Sequence, residues 1–238
     1  MRILLCVSLI VVMTFSAGCS TSDRAIDQGG YGGGYESSMD GPVIEGSLFA
    51  EDQAAISNEA ITAILSSKVR LPSENRVAVL RAVSPRSRYW SEDMVRLDQK
   101  ITDDFINRLK TSKRVTEAFF VPSILAPKSM TVSQMRAAAA RTQAGLLVVY
   151  RPTTETFAKY RFMGKDETKA YSTVEAALMD VRTGIIPFTS MATETEAAAK
   201  ASKDFDFYET ILNAQQQATR KALEKVGADI VAFLDSEE

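Results

Sequence analysis

The sequence of 238 residues contains no histidine and only two cysteines, Cys6 and Cys19. Histidine is the side chain used most often as a general base near neutral pH, and it is the commonest metal ligand. Its absence excludes serine triads with a histidine base and zinc sites that contain histidine. Both cysteines lie within the first 19 residues, so the rest of the chain has no thiol for catalysis, a disulfide or a metal. The sequence therefore predicts a non-enzymatic protein without a metal or other cofactor.

An excess of charge of one sign is also missing. The chain has 28 basic and 30 acidic residues, a formal net charge of −2. This balance does not favour a nucleic-acid partner, because such proteins carry basic patches. The chain is 45% hydrophobic and 24% charged, which is the usual balance of a globular domain with a buried core.

The N-terminus has the organisation of an export signal. Arg2 supplies a short positive start, and residues 3–15 form an apolar run that is too short for a permanent membrane helix. Residues 16–19 read Ser-Ala-Gly-Cys and resemble the lipobox of bacterial lipoproteins, with serine at the position where leucine is usual. The resemblance implies cleavage between Gly18 and Cys19 and a lipid on the Cys19 sulfur. A general secretory signal with an incidental cysteine is the alternative.

Lipid on Cys19 would hold the protein at a membrane, since each buried methylene contributes about 0.8 kcal/mol. Ser20 follows the cysteine, and the absence of aspartate there resembles lipoproteins that are sorted to the outer membrane of Gram-negative bacteria. We therefore expect a location in the cell envelope, at the periplasmic face of the outer membrane.

The rest of the chain divides into a tether and one domain. Residues 29–35 read Gly-Gly-Tyr-Gly-Gly-Gly-Tyr, and the surrounding segment is rich in glycine, serine and aspartate. Such a segment behaves as a flexible coil that reaches about 30 Å. The predicted organisation is a signal peptide over residues 1–18, a lipidated tether over 19–47 and a periplasmic α/β domain over 48–238.

Apolar periodicity predicts an α+β domain. It has a mixed sheet of about five strands with helices packed on it, and it ends in a β-meander and a long C-terminal helix. The predicted helices cover residues 52–66, 91–110, 131–145 and 206–235, and the predicted strands cover residues 76–83, 115–124, 145–162, 168–181 and 185–194. Pro122 places the second strand at a sheet edge, Pro187 favours an edge for the last strand, and Pro152 predicts a bulge or break in the third.

Capping residues mark the helix ends. Ser91 and Asp206 are expected N-caps, while Thr131 with Gln134 three residues later predicts a capping box. Gly145 is suited to a left-handed C-cap at the end of the third helix.

Three segments in this order resemble the periplasmic domain shared by CsgG, LpoB and the N-terminal domain of TolB. They are the strand at residues 76–80, the helix-to-strand segment at 139–149 and the strand, Thr-Gly turn and strand at 178–185. The resemblance implies a binding or accessory module of envelope machinery, in peptidoglycan synthesis, secretion or envelope assembly. The alternative is an oligomeric CsgG-like secretion component. Channel-forming members carry long hairpin insertions, and the connections here are short, so we do not expect a pore.

A loop after the first strand is the predicted contact with an envelope protein partner. Arg86, Arg88 and Tyr89 form a basic and aromatic segment at the end of a strand, where loops commonly carry binding residues. Tyr89 could instead cover the start of the next helix. Trp90 beside this loop could serve as a ligand platform, although pairing with Val95 in a hydrophobic staple explains it more simply.

Paired carboxylates leave an envelope hydrolase as the remaining alternative. Glycoside cleavage would require two carboxylates that converge in a cleft. The candidates each have a simpler role as solvated or capping side chains, and they are Asp103, Asp104, Glu194, Glu196, Asp204 and Asp206.

Overall fold

The structure, a computed structural model, describes residues 57–67, 70–82, 92–125, 131–202, 204 and 206–236, together with the backbone of Asp23–Ala25. The elements in chain order are β1 (Asp23–Ala25), α1 (Asn58–Ser66), β2 (Asn75–Arg81), α2 (Glu92–Leu109), β3 (Val115–Phe120), a 3₁₀ turn at Ser123–Leu125, α3 (Val132–Arg141), β4 (Leu146–Lys159), β5 (Glu167–Asp180), β6 (Phe188–Ala199) and α4 (Phe207–Ser236). The predicted class, a mixed five-stranded sheet with helices and a long C-terminal helix, is confirmed.

The five long strands lie in the order β3-β2-β4-β5-β6. Strands β3 and β4 flank β2 in parallel, whereas β4, β5 and β6 form an antiparallel meander. The parallel pairs require crossover connections, and α2 and α3 supply them. Strand β3 lies at one edge, as predicted, and β6 lies at the other.

The sheet buries side chains on both faces where β2, β4 and β5 meet. One face packs against α2 and α4, with Val79, Val148 and Leu178 beside Phe105 and Val226. The other face packs against α3, with the following side chains in one cluster: Ala78, Leu80, Leu147, Val149, Met179, Met135 and Ala138. Alternate residues of a strand point to opposite faces, so an uninterrupted apolar run is what two covered faces require.

Strand β4 continues through Pro152 without the predicted break. Pro152 stands opposite Val174 in a register that runs unshifted from Leu146 to Lys159. The carbonyl of Tyr150 accepts from the Ala82 amide, so that edge of β4 faces β2. The Pro152 nitrogen faces the same side, just beyond the end of β2. Because β2 has no residue there to accept a hydrogen bond, the N–H that proline lacks is not missed by the sheet.

The third helix begins as predicted and ends differently. Thr131 and Gln134 form the capping box, with the Thr131 side chain accepting from the Gln134 amide at 3.1 Å. The left-handed residue at the other end is Gln143, with φ of 59°, and not Gly145. Ala144 and Gln143 donate to the carbonyls of Ala139 and Ala140, the pattern of a Schellman motif.

Gly145 belongs to the sheet instead. Its amide donates to the Arg76 carbonyl, and its own carbonyl accepts from the Val181 amide. The prediction of a glycine C-cap was therefore wrong. The Gly145 backbone is hydrogen-bonded to Arg76 and Val181, and the left-handed residue that follows the helix is Gln143, two residues earlier.

Two short elements near the N-terminus, α1 and β1, complete the described part of the chain. Helix α1 begins at Asn58 because the Ser57 side chain accepts from the Ala60 amide, and it buries none of its side chains. Strand β1 falls within the segment predicted as a tether and pairs antiparallel with the last residues of β4. Within the described residues, no helix is both long and apolar enough to cross a membrane.

Candidate binding face

Helix α3 covers only part of its side of the sheet. Its buried partners come from β2, from the first residues of β4 and from the last residues of β5. Beyond Val149, the residues of β4 on this side are Arg151, Thr153, Glu155 and Phe157, and the last three of them are exposed. The farther half of the meander therefore shows one side to solvent.

We call this uncovered surface the open face. It consists of the residues that continue the α3 side along three strands: Arg151, Thr153, Glu155 and Phe157 of β4, Lys169, Tyr171, Thr173 and Glu175 of β5, and Met191, Thr193, Thr195 and Ala197 of β6. The burial of β6 alternates residue by residue along its whole length, which confirms that one side is packed and the other is open.

A row of three threonines crosses the middle of the open face. Thr153 stands opposite Thr173, and Thr173 stands opposite Thr193. The hydroxyls of Thr173 and Thr193 are 2.8 Å apart. Because β-branched residues restrict χ1 and suit a pleated strand, this row is a pre-ordered surface of hydroxyl and methyl groups.

Opposite charges and aromatic rings flank this row. On one side, Arg151 donates to Glu175 at 2.7 Å. On the other side, the Lys169 ammonium lies 4.8 Å from the centre of the Tyr171 ring, and the Phe157 ring meets Tyr171 edge-on at 5.8 Å between centroids. The open face thus has balanced charge, apolar rings and hydroxyls without a dominant sign.

The hairpin between β4 and β5 projects beyond the open face. We call residues 160–166 the hairpin tip. Phe162 is 99% exposed and Met163 is 85% exposed. Asp166 accepts from the Arg161 amide at 2.8 Å, and the Arg161 guanidinium pairs with Glu167, also at 2.8 Å. These bonds stabilise the turn that carries the exposed side chains of Phe162 and Met163.

The opposite side of the meander is closed by α4 through polar contacts. The Ser172 and Thr219 hydroxyls are 2.8 Å apart, and Gln215 donates to Thr156 at 2.7 Å. Because buried polar groups require partners, these bonds make α4 specific for this side of the sheet.

Five of the six candidate carboxylates have structural partners, and the first of them, Asp104, lies 4.0 Å from the Lys100 ammonium. Glu194 pairs with Lys225, which lowers the pKa of Glu194 through a hydrogen bond, and Glu196 pairs with Lys221 at 2.6 Å. Asp206 accepts from the Glu209 amide at the start of α4, which confirms the predicted N-cap. Asp204 accepts from the Thr210 hydroxyl at 2.6 Å. Among the described residues, no cluster of three acidic side chains could hold a metal ion.

The predicted site residues lie elsewhere in the chain. Gly18 and Cys19 fall outside the described residues, as do Arg86, Arg88 and Tyr89. The same holds for Ser91 and Trp90, so these predictions stay predictions.

The open face was not predicted from the sequence. The signal for it is the alternation of exposed polar and packed residues in β6, beside a strand that carries Thr153, Glu155 and Phe157 on one side. That pattern indicates that the two sides of the sheet differ in burial, but it does not indicate which side a helix covers.

No protein-family model matches the chain, and no curated protein matches it. Among solved structures, the chain is similar to the PelC dodecamer from Paraburkholderia phytofirmans, at 14% identity over 73% of this chain and 96% of that chain, with a TM-score of 0.37. The hypothetical protein CT253 from Chlamydia trachomatis matches at 12% identity over 68% of this chain and 98% of that chain, with a TM-score of 0.40. A minor lipoprotein from Acinetobacter baumannii matches at 10% identity over 68% and 92%, with a TM-score of 0.30. Similarity at this level assigns no function to the chain.

Proposed function

We propose that the chain is a lipoprotein of the outer membrane whose periplasmic domain is a non-enzymatic binding module for a protein of the cell envelope. Acyl chains on Cys19 hold it at the membrane, and the open face receives the partner. The lipobox-like residues 16–19 support the anchor.

The open face is the observation that carries the binding role. Helix α4 covers one side of the three strands of the meander. On the other side, α3 covers only the beginning of β4 and the end of β5, and no further described element covers the rest. The threonine row lies in the middle of this surface, with exposed Phe157 towards one end and exposed Met191 towards the other. A surface preformed by paired strands suits protein recognition, since little ordering is needed on binding.

The charge of the open face favours a protein over a nucleic acid. Arg151 is neutralised by Glu175 within the face. The remaining charges of opposite sign are Lys169 and Glu155, which stand on neighbouring strands. Nucleic acids require an uncompensated basic surface, whereas envelope proteins do not.

An oligomeric component of secretion or assembly is the second candidate, and the β6 edge favours it. Strand β6 is 12 residues long and, among the described residues, has no neighbour on its outer side. Unpaired strand edges can pair with another chain. A second copy of this protein would then extend the sheet.

The anchor is tested by replacing Cys19 with alanine. The Cys19→Ala protein should lack the acyl mass and leave the membrane fraction in a high-salt wash, because no other thiol of the mature chain can be acylated. Cys6→Ala is the matched control and should stay anchored. Retention of Cys19→Ala in washed membranes would contradict a lipid anchor at this residue.

The open face is tested with a photo-crosslinking residue in intact cells. At Thr193, on the open face, it should yield a defined heavier adduct, while at exposed Glu224 on α4 it should not. An adduct with an envelope protein supports the binding module, and an adduct with a second copy supports the oligomer. Equal adducts at both positions, or none at Thr193, would contradict the open face as the binding surface.

A further inference from the structure

The hairpin tip exposes two adjacent apolar side chains that its turn does not require. Phe162 and Met163 stand at the hairpin tip with nearly complete exposure, and Tyr160 beside them is 46% exposed. The turn itself needs only Gly164, whose φ is 121°, and polar neighbours would serve the fold equally well. Lys159, Arg161 and Lys165 flank the same apolar residues.

Strand β1 relates this tip to the N-terminus. Asp23 stands opposite Lys159, and Ala25 stands opposite Phe157. Because the pair is antiparallel, Asp23, the first residue of β1, stands at the end of the strand where the hairpin tip lies. Cys19 is four residues before Asp23, and four residues span at most about 14 Å.

We propose that the hairpin tip is a second membrane contact, in which Phe162 and Met163 enter the headgroup region of the same phospholipid surface that holds the acyl chains of Cys19. This inference rests on the proposed lipid anchor. The anchor supplies the main attachment, and the tip fixes how the domain stands on the bilayer.

The chemistry of the tip fits a lipid surface. Aromatic and other apolar side chains beside lysine and arginine are typical of segments that lie at the membrane interface, where the apolar parts enter and the charged ends stay in the headgroups. The tip is a single narrow turn, whereas a protein interface requires a broader surface. Its bonds between Arg161, Asp166 and Glu167 keep the turn in one shape as it meets the bilayer.

The experiment uses the full lipidated protein reconstituted in vesicles of phosphatidylethanolamine and phosphatidylglycerol. Met163→Cys introduces a thiol into a mature chain whose only other cysteine carries lipid, and the thiol is labelled with an environment-sensitive fluorophore. Met191→Cys, at an exposed methionine of the open face, is the matched control. Phe162→Cys repeats the measurement at the neighbouring residue.

We expect the label at residue 163 to shift to shorter emission wavelength, to be quenched by lipids that carry a nitroxide, and to resist aqueous iodide. The label at residue 191 should show the opposite behaviour. Equal iodide quenching at both positions would overturn the proposal, and so would shielding of residue 163 from both quenchers, since protein would then cover the tip. Mass spectrometry of the same sample reports the lipid on Cys19. An unacylated protein contradicts the anchor, whereas an acylated protein with an aqueous tip contradicts only the second contact.

Discussion

The hydroxyl of Ser172 in β5 lies 2.8 Å from the hydroxyl of Thr219 in α4, and both side chains are buried. Thr219 also donates to the Gln215 carbonyl at 2.9 Å, so Ser172 is the donor of the pair. This contact joins the C-terminal helix to the side of the meander opposite the open face.

Ser172→Ala should lower the free energy of unfolding by about 1 kcal/mol, because Thr219 then lacks a donor in a buried place. Thr173→Ala, the next residue, removes a hydroxyl on the exposed side and should change stability by less than about 0.5 kcal/mol. Urea unfolding followed by circular dichroism compares the two variants. Equal losses would show that the open face contributes to stability as much as the packed side does.

Gly227 permits the close approach of α4 to α2. A Cβ built at this position would lie 3.0 Å from Cγ of Arg108 and 3.3 Å from the Phe105 ring. Gly227→Leu should therefore destabilise the domain by about 2 kcal/mol, since the larger side chain must push α2 away. Glu224→Leu, on the exposed side of the same helix, is the control in thermal unfolding. A stable Gly227→Leu protein would mean that the two helices separate easily.

Burial makes the stability sensitive to alkali through Tyr150. Its ring packs against Phe105, and desolvation raises the pKa of the hydroxyl from 10.0 to about 12. Below pH 10 the hydroxyl is protonated in both the folded and the unfolded protein. Between pH 10 and about 12 it ionises in the unfolded chain only, so the free energy of unfolding falls as the pH rises. The free energy of unfolding falls by ~3 kcal/mol in total, because each pKa unit between the folded and unfolded states corresponds to 1.36 kcal/mol.

Tyr150→Phe should flatten this decline, because phenylalanine does not titrate. The variant should also lose about 1 kcal/mol near neutral pH, since the hydroxyl no longer bonds Thr102. Urea unfolding at several values of pH measures both effects, and Tyr208→Phe at the half-exposed start of α4 serves as the control. An alkaline decline as steep in Tyr150→Phe as in the parent would contradict this assignment.

Two surfaces now compete for the envelope partner. The loop predicted from sequence is removed by substituting Arg86, Arg88 and Tyr89 together with alanine, and the open face is altered by Thr193→Glu. If the open face binds, Thr193→Glu should reduce cross-linking to the partner about tenfold, the equivalent of 1.4 kcal/mol, while the triple variant leaves it unchanged. Quantified adducts from intact cells, with folding checked by circular dichroism, separate the two. Loss of cross-linking only in the triple variant would return the site to the loop.

Local chemistry made several features predictable from the sequence. The capping box of Thr131 and Gln134 and the N-cap Asp206 were correct, because these bonds join residues only three positions apart. The meander was also correct in its order, although β6 begins at Phe188 and ends at Ala199, later than the predicted residues 185–194. Strand ends depend on which neighbour is available for pairing, and β5 supplies partners as far as Glu167.

The sequence by itself determined the class of fold, the two-sided character of the strands and the chemistry that is missing without histidine. Only the tertiary structure decided that α3 covers just the beginning of β4 and the end of β5, which leaves Thr153, Thr173 and Thr193 in one row outside it. It also decided that Gln143 takes the left-handed turn in place of Gly145, and that β1 lies beside the hairpin tip. Alternation along a strand reports that its two sides differ, but coverage depends on where distant helices pack, and contacts between remote segments leave no periodic signal in the chain.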